Sequence, residues 1–266
     1  METKIPIRFF VITFLWSWGI WVGAIIIGLS KPQFFETPGI ETLIMILGAF
    51  GPVIGAIISK YTIEGKGAIK IFFKSFLSLN FGWKVWLSIF LVLGTSSFIA
   101  WIIPEFWGEE RLQMYLPSVY VFLPYLLLMV FLGGGQEEIG WRGYISPYLE
   151  RKYGLIVGGL FLGIVWGVWH LPLWFIPETT QIYMNFFGFM LLTIGYSYFF
   201  SWIIEASGNR LISGLIAHGA ANAFIPLFPS LIMGDVIQTR FWIYVVLVLA
   251  IGIVIVLSRT HKNRKK

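Results

Sequence analysis

Glu137 and Glu138 are adjacent, Arg142 lies four residues beyond the second, and His170, His218 and Asn222 follow later in the chain. Carboxylates, imidazoles and a carboxamide are the side chains that take a proton from water, hold that water and donate to a developing oxyanion. Glu138 and Arg142 stand at i and i+4 with the acid nearer the N-terminus, the better order for an ion pair along one helical face. Glu137 is then left facing elsewhere, free to approach the histidines, so the two carboxylates acquire the different environments that separate acid and base roles require. The same four-residue spacing aims Trp166 and His170 along one face, and His218 and Asn222 along another.

These groups fall in apolar chain, where an ionisable side chain costs roughly 2.5 to 3.5 kcal/mol at the centre of a membrane helix. With 58% hydrophobic and 12% charged residues and a mean hydropathy of +0.82, the 266-residue chain has too little polar surface for a soluble globule. The expected fold is all-α, a polytopic integral membrane protein of about eight transmembrane helices around a polar intramembrane site. Apolar runs of spanning length lie near residues 7–29, 40–60, 85–103, 116–135, 155–176, 182–204, 211–228 and 240–258, so residues 1–266 form a single transmembrane domain. The first run is long for a signal peptide and reads as a retained anchor. Cysteine is absent, which excludes disulfides, a thiolate zinc site and a cysteine nucleophile.

With the N-terminus in the cytosol, every Lys and Arg except Lys31, Arg111 and Arg240 falls on the cytosolic side, the positive-inside pattern. An even number of spans returns the tail Arg259, Lys262, Arg264, Lys265, Lys266 to the cytosol. The net charge of +6 is therefore a topology signal and implies no nucleic acid. Glu105, Glu109 and Glu110 occupy an outside loop with Trp107. Lys66, Lys70 and Lys74 recur every four residues, with Ile69, Phe72, Phe73 and Phe76 largely on another face, as in a helix anchored at the lipid interface.

At about 1.5 Å per residue, His218 lies on the order of 10 Å and His170 on the order of 20 Å into their spans. For the carboxylates to meet them, the fourth helix is expected to run on through the glycines and Arg142 to about Pro147. Pro172 loosens the chain beside His170, and the glycines allow close helix packing. The abundant aromatics read as lipid-facing or interfacial filler, and His261 as a solvated residue of the tail.

Glu-Glu-x-x-x-Arg at 137–142, aromatic-x-x-x-His at 166–170 and His-x-x-x-Asn at 218–222, in this order, resemble the CPBP family of CAAX protease and bacteriocin-processing (Abi) proteins. Trp-Arg-Gly-Tyr after the carboxylates, His-Leu-Pro at His170 and Gly51-Pro52 extend the resemblance over a core of roughly residues 50–225. It implies an intramembrane endopeptidase of bacterial type. In it Glu137 is the base that activates water, His170 helps to hold that water, His218 and Asn222 stabilise the oxyanion, and Glu138 with Arg142 form the supporting ion pair. Many members carry Phe where this chain has Trp166. The implied substrate is a membrane-associated protein or peptide, and the implied location is the lipid bilayer of a bacterial plasma membrane, with both termini cytosolic.

No cofactor is required by this chemistry; zinc held by Glu137, His170 and His218 with an open water position is the competing arrangement. A proton- or ion-coupled transporter with a Glu/His relay and a non-catalytic immunity or binding protein are the other function classes. No inverted repeat supports the transporter. The chain has no His-Glu-x-x-His helix, its one aspartate, Asp235, excludes an in-chain aspartyl dyad, and Ser213-Gly214 lacks a rhomboid-like context.

Overall fold

A backbone that must satisfy its own amides in hydrocarbon has the helix as its local solution. The computed structural model describes residues 4–74, 78–231 and 238–264, and the regular structure among them is helical, without strands. Phe76, Asp235 and the side chains of Lys262, Arg264, Lys265 and Lys266 lie outside the described residues.

Helix α1 covers Ile7–Ser30, and α2 (Ile40–Ala49) joins α3 (Gly51–Glu64) at Phe50, with Pro52 in the first turn of α3, where its missing N–H costs nothing. The basic segment forms α4 (Lys66–Lys74), with Lys66, Lys70 and Lys74 exposed and Ile69 and Phe72 half-buried on the inner side. Then come α5 (Trp83–Ile102), α6 (Phe122–Phe131), the single-turn α7 (Glu138–Gly140), α8 (Ser146–Trp169), α9 (Phe186–Ala206), α10 (Leu211–Leu227) and α11 (Thr239–Arg264). Among the described residues, six segments are long and apolar enough to cross a membrane. Expected spans four and five fuse into one 57-residue stretch, Val119–Phe175, and the seventh is the shorter helix Leu211–Leu227, which accounts for the difference from eight.

The fourth helix does not run through the glycines. It ends at Phe131, the amides of Leu132 and Gly133 both close on the Leu128 carbonyl, and Gly134 takes φ +122°, a conformation that ends an α-helix and suits glycine. The Gln136 side chain bridges the break, accepting from the Gly134 amide (2.9 Å) and donating to the Leu132 carbonyl (3.3 Å). A new helical segment starts with a 3-10 turn at Gly135–Glu137, passes through α7 and a π-helical turn at Trp141–Ile145, and enters α8, which breaks again at Gly154 (φ 78°). Pro172 ends α8 rather than kinking it: His170 is its C-cap and Leu171–Phe175 form a 3-10 turn.

Small residues set the helix crossings that hold these pieces, as expected where lipid supplies no hydrophobic drive between helices. A Cβ on Gly252 of α11 would meet the Gly195 carbonyl of α9 at 2.6 Å. Ser197 and Thr193 of α9 donate to the carbonyls of Gly159 (2.8 Å) and Gly163 (3.0 Å) of α8. A Cβ on Gly140 would collide with the carbonyl of Pro52, so α3 lies directly on the carboxylate segment. At one end of the bundle Arg111 is bidentate on Glu105 (2.7 Å to each oxygen), and buried Arg240 holds Glu109 (2.5 Å) and the Trp101 and Glu110 carbonyls. The groups expected on one side of the membrane thus meet at one end.

Candidate active site

The carboxylates are buried by three neighbours: α3 at Gly140, α6 and α10. Glu137 is 4% exposed and Glu138 0%, which excludes a solvated loop and meets the condition for a shared site. The Glu138–Arg142 pair forms as the spacing predicts, with Nη1 to Oε1 at 2.9 Å. Both side chains lie away from water, so each depends on the other.

The histidines arrive from the ends and middles of other helices. His170 hangs at the end of α8, secured where the Trp18 indole of α1 donates to the Trp169 carbonyl (2.9 Å). Its Nδ1 bonds the Trp166 carbonyl (2.9 Å), so Nδ1 carries the proton and Nε2 keeps its lone pair in the neutral ring. His218 lies inside α10, and its Nδ1 bonds Glu138 Oε1 at 2.9 Å. The histidine expected to approach Glu137 is therefore held by Glu138, on the same oxygen that accepts Arg142. Glu137 instead accepts the Trp166 indole N–H at Oε2 (2.8 Å).

Asn222, one turn beyond His218, donates to the Gly133 carbonyl (2.6 Å) and keeps its second N–H. Gly134 lies between them and the carboxylate segment: a Cβ there would stand 2.6 Å from His218 Nε2 and 2.7 Å from Asn222 Nδ2. The two nitrogens converge on one small space that glycine leaves open, the arrangement needed to donate to a single oxygen. Gly134→Ala is expected to fill that space and force an L-residue to φ +122°. Stability should fall by about 1–3 kcal/mol together with any turnover, read by unfolding in detergent and by cleavage rate; an Ala variant of unchanged rate would show that the space is not used.

Three contributors escaped the sequence: Gln136, Gly134 as a break rather than a packing residue, and the aromatic walls. Trp166 and Phe200 are not lipid-facing filler. The Arg142 guanidinium lies 4.4 Å from the Trp166 ring centroid and 5.4 Å from that of Phe200, while Phe200 stacks on His218 at 5.5 Å and 23°. Trp169 and Phe189 flank His170 at 4.6 and 5.0 Å. The i, i+4 spacing of Trp166 and His170 was the available signal; the partner of the indole N–H was not encoded locally.

Among the described residues, no three His, Asp or Glu side chains stand together at metal-holding spacing. His170 and His218 each bond an oxygen acceptor through Nδ1, and Glu137 accepts the indole at Oε2, which leaves Nε2 of both rings and Oε1 of Glu137 as the atoms open to water or another ligand.

Residues 117–224 match the family model of type II CAAX prenyl endopeptidase Rce1-like proteins. Over 229 residues the chain is 24% identical to CAAX prenyl protease 2 of Methanococcus maripaludis, with 82% of each protein covered. Glu137, Glu138, Arg142, His170, His218 and Asn222 all lie within the matched segment.

Proposed function

We propose, from the match of its residues 117–224 to the Rce1-like family model, that the chain is a CPBP-family intramembrane endopeptidase acting on a membrane-associated protein or peptide. The observation that carries this reading is the largely buried cluster in which Glu137, the Arg142–Glu138–His218 chain, His170 and Asn222 are drawn from three stretches of chain, the 135–145 segment, the end of α8 and α10.

In this reading Glu137 takes a proton from water, and the water oxygen bonds to the peptide carbonyl carbon. The electron pair of the C=O bond moves to oxygen, which accepts from Asn222 and from His218. With Nδ1–H committed to Glu138, His218 donates from Nε2 only when its ring carries both protons. Collapse of the tetrahedral centre breaks the C–N bond, and the proton on Glu137 passes to the leaving amine. His170 Nε2 accepts from the attacking water. Glu138 and Arg142 orient His218 and touch no reacting atom.

The relative's name points to prenylated C-terminal substrates, so the first probe is a farnesylated peptide ending in a CAAX sequence, carrying a fluorophore and quencher across the expected bond. Purified protein in nanodiscs is expected to cleave it, to cleave a non-farnesylated copy less, and to retain its rate in chelator, since the proposed chemistry uses no metal. Substrate-dependent proton flux in sealed vesicles without cleavage of any membrane peptide would overturn the reading in favour of a transporter. The proposed setting is the cell membrane with both termini cytosolic, testable by cysteine labelling of a chain that has no native cysteine.

A further inference from the structure

Trp166 touches more of the site than any residue placed there by chemistry. Its indole N–H donates to Glu137 Oε2 (2.8 Å), its carbonyl accepts from His170 Nδ1 (2.9 Å), its ring face carries the Arg142 guanidinium at 4.4 Å, and its edge meets the His218 ring with centroids 5.2 Å apart. It is 2% exposed, so no water competes for the N–H.

An indole N–H only donates, and a backbone carbonyl only accepts. The first fact favours Oε2 of Glu137 as the acceptor oxygen, since a proton placed on Oε2 would make it a weaker acceptor for the N–H than Oε2 of the carboxylate. The second fact puts the His170 proton on Nδ1 and leaves Nε2 as an acceptor. Glu137 Oε1 and His170 Nε2 are then the acceptors left for the O–H bonds of water.

We infer that Trp166 is the positioning residue of the site, fixing through its indole N–H which oxygen of Glu137 takes the proton and through its carbonyl which nitrogen of His170 accepts from water. This rests on the endopeptidase reading. The Arg142 contact strengthens the device, because a cation over the ring face draws electron density from the indole and makes its N–H a better donor.

The test replaces Trp166 in the full chain by 3-benzothienylalanine, which keeps the bicyclic bulk and the aromatic face but has sulfur in place of N–H. Trp166→Phe is the smaller companion. With the farnesylated reporter, both are expected to lower kcat roughly tenfold to a hundredfold, the worth of one hydrogen bond to a charged group, with KM within about twofold. A role in packing alone predicts a normal kcat for the analogue, and that result would overturn the inference. Two controls separate the levels: no cleavage by the wild-type chain sinks the endopeptidase reading, cleavage by Glu137→Gln at the wild-type rate removes Glu137 as the base and this inference with it, and a dead Glu137→Gln beside a fully active analogue sinks only the role of Trp166. A readout independent of turnover is the thermal shift. The analogue is expected to lower Tm by roughly 2 °C or more in the wild-type chain and by less in the Glu137→Gln chain; equal shifts mean the indole and carboxylate are not coupled and also overturn it.

Discussion

Glu137→Gln is expected to lower kcat/KM on the farnesylated reporter by about 10²–10⁴-fold, the usual worth of a positioned general base, while the protein remains folded. Both halves follow from its contacts. Glutamine keeps the length of the side chain and an oxygen that can accept the Trp166 N–H now bonded to Oε2 at 2.8 Å. It removes a buried charge, so folding loses little. What it cannot do is accept a proton from water at the second position, where an amide nitrogen replaces an oxygen. Rates of the two proteins and their unfolding midpoints in the same detergent provide the check. A variant that is folded and turns over at the wild-type rate would remove Glu137 from the chemistry and move attention to His218, held by Glu138 in a carboxylate–imidazole pair.

The parts of this site that the sequence disclosed are those governed by local geometry. Glu138 and Arg142 had to meet if their segment was helical, because i and i+4 share a face, and they do. Apolar flanks indicated that Glu137 and the histidines would be buried, but not which neighbours bury them. Contacts between segments were beyond local pattern. Nothing in the chain between Glu138 and His218, 80 positions apart, says which carboxylate the imidazole reaches, and the bundle gives it to Glu138. The glycines at 133–135 were ambiguous for a physical reason: glycine serves close helix packing and also left-handed backbone. Here both uses occur within three residues, since a Cβ on Gly135 would run into the Leu215 carbonyl of α10 at 2.6 Å while Gly134 adopts φ +122°. Depth arithmetic carried the fourth helix through all three, and the chain breaks there instead.

That break has a consequence for where the carboxylates sit. A continuous helix would have set their depth by counting residues from the membrane edge. With α6 ended at Phe131 and Gln136 clamping the turn, the segment from Gly135 to Ile145 is positioned by its own contacts with Pro52, Leu215 and Leu211 instead. Its π-helical turn begins directly after Gly140, at the point where α3 presses closest. Such turns widen the helix and redirect side chains, and they recur at functional sites. Burial of the acidic pair is thus a property of tertiary packing, supported from several sides, and not of hydropathy along one span.

Arg142→Met is expected to be the most destabilising single change at the site, by about 3–5 kcal/mol, the cost of stripping one partner from a buried ion pair. Methionine fills much of the volume under Trp166 and Phe200, so lost packing is a small part of the loss. The larger part is that Glu138, with 0% of its side chain exposed and Oε2 already without a partner, keeps only His218 Nδ1 as a donor. The prediction sharpens when Glu138→Gln is added. If uncompensated charge is the cause, the double variant has no buried charge at this position and should be more stable than Arg142→Met alone, although it has lost both members of the pair. If Arg142 acts chiefly by packing against the two rings, the second substitution brings no recovery and the losses add. Unfolding of the two single variants and the double in one detergent decides between these outcomes. Turnover gives a second axis: the double variant regains stability but should remain slow, because a glutamine amide no longer fixes the proton of His218 on Nδ1 as a carboxylate does.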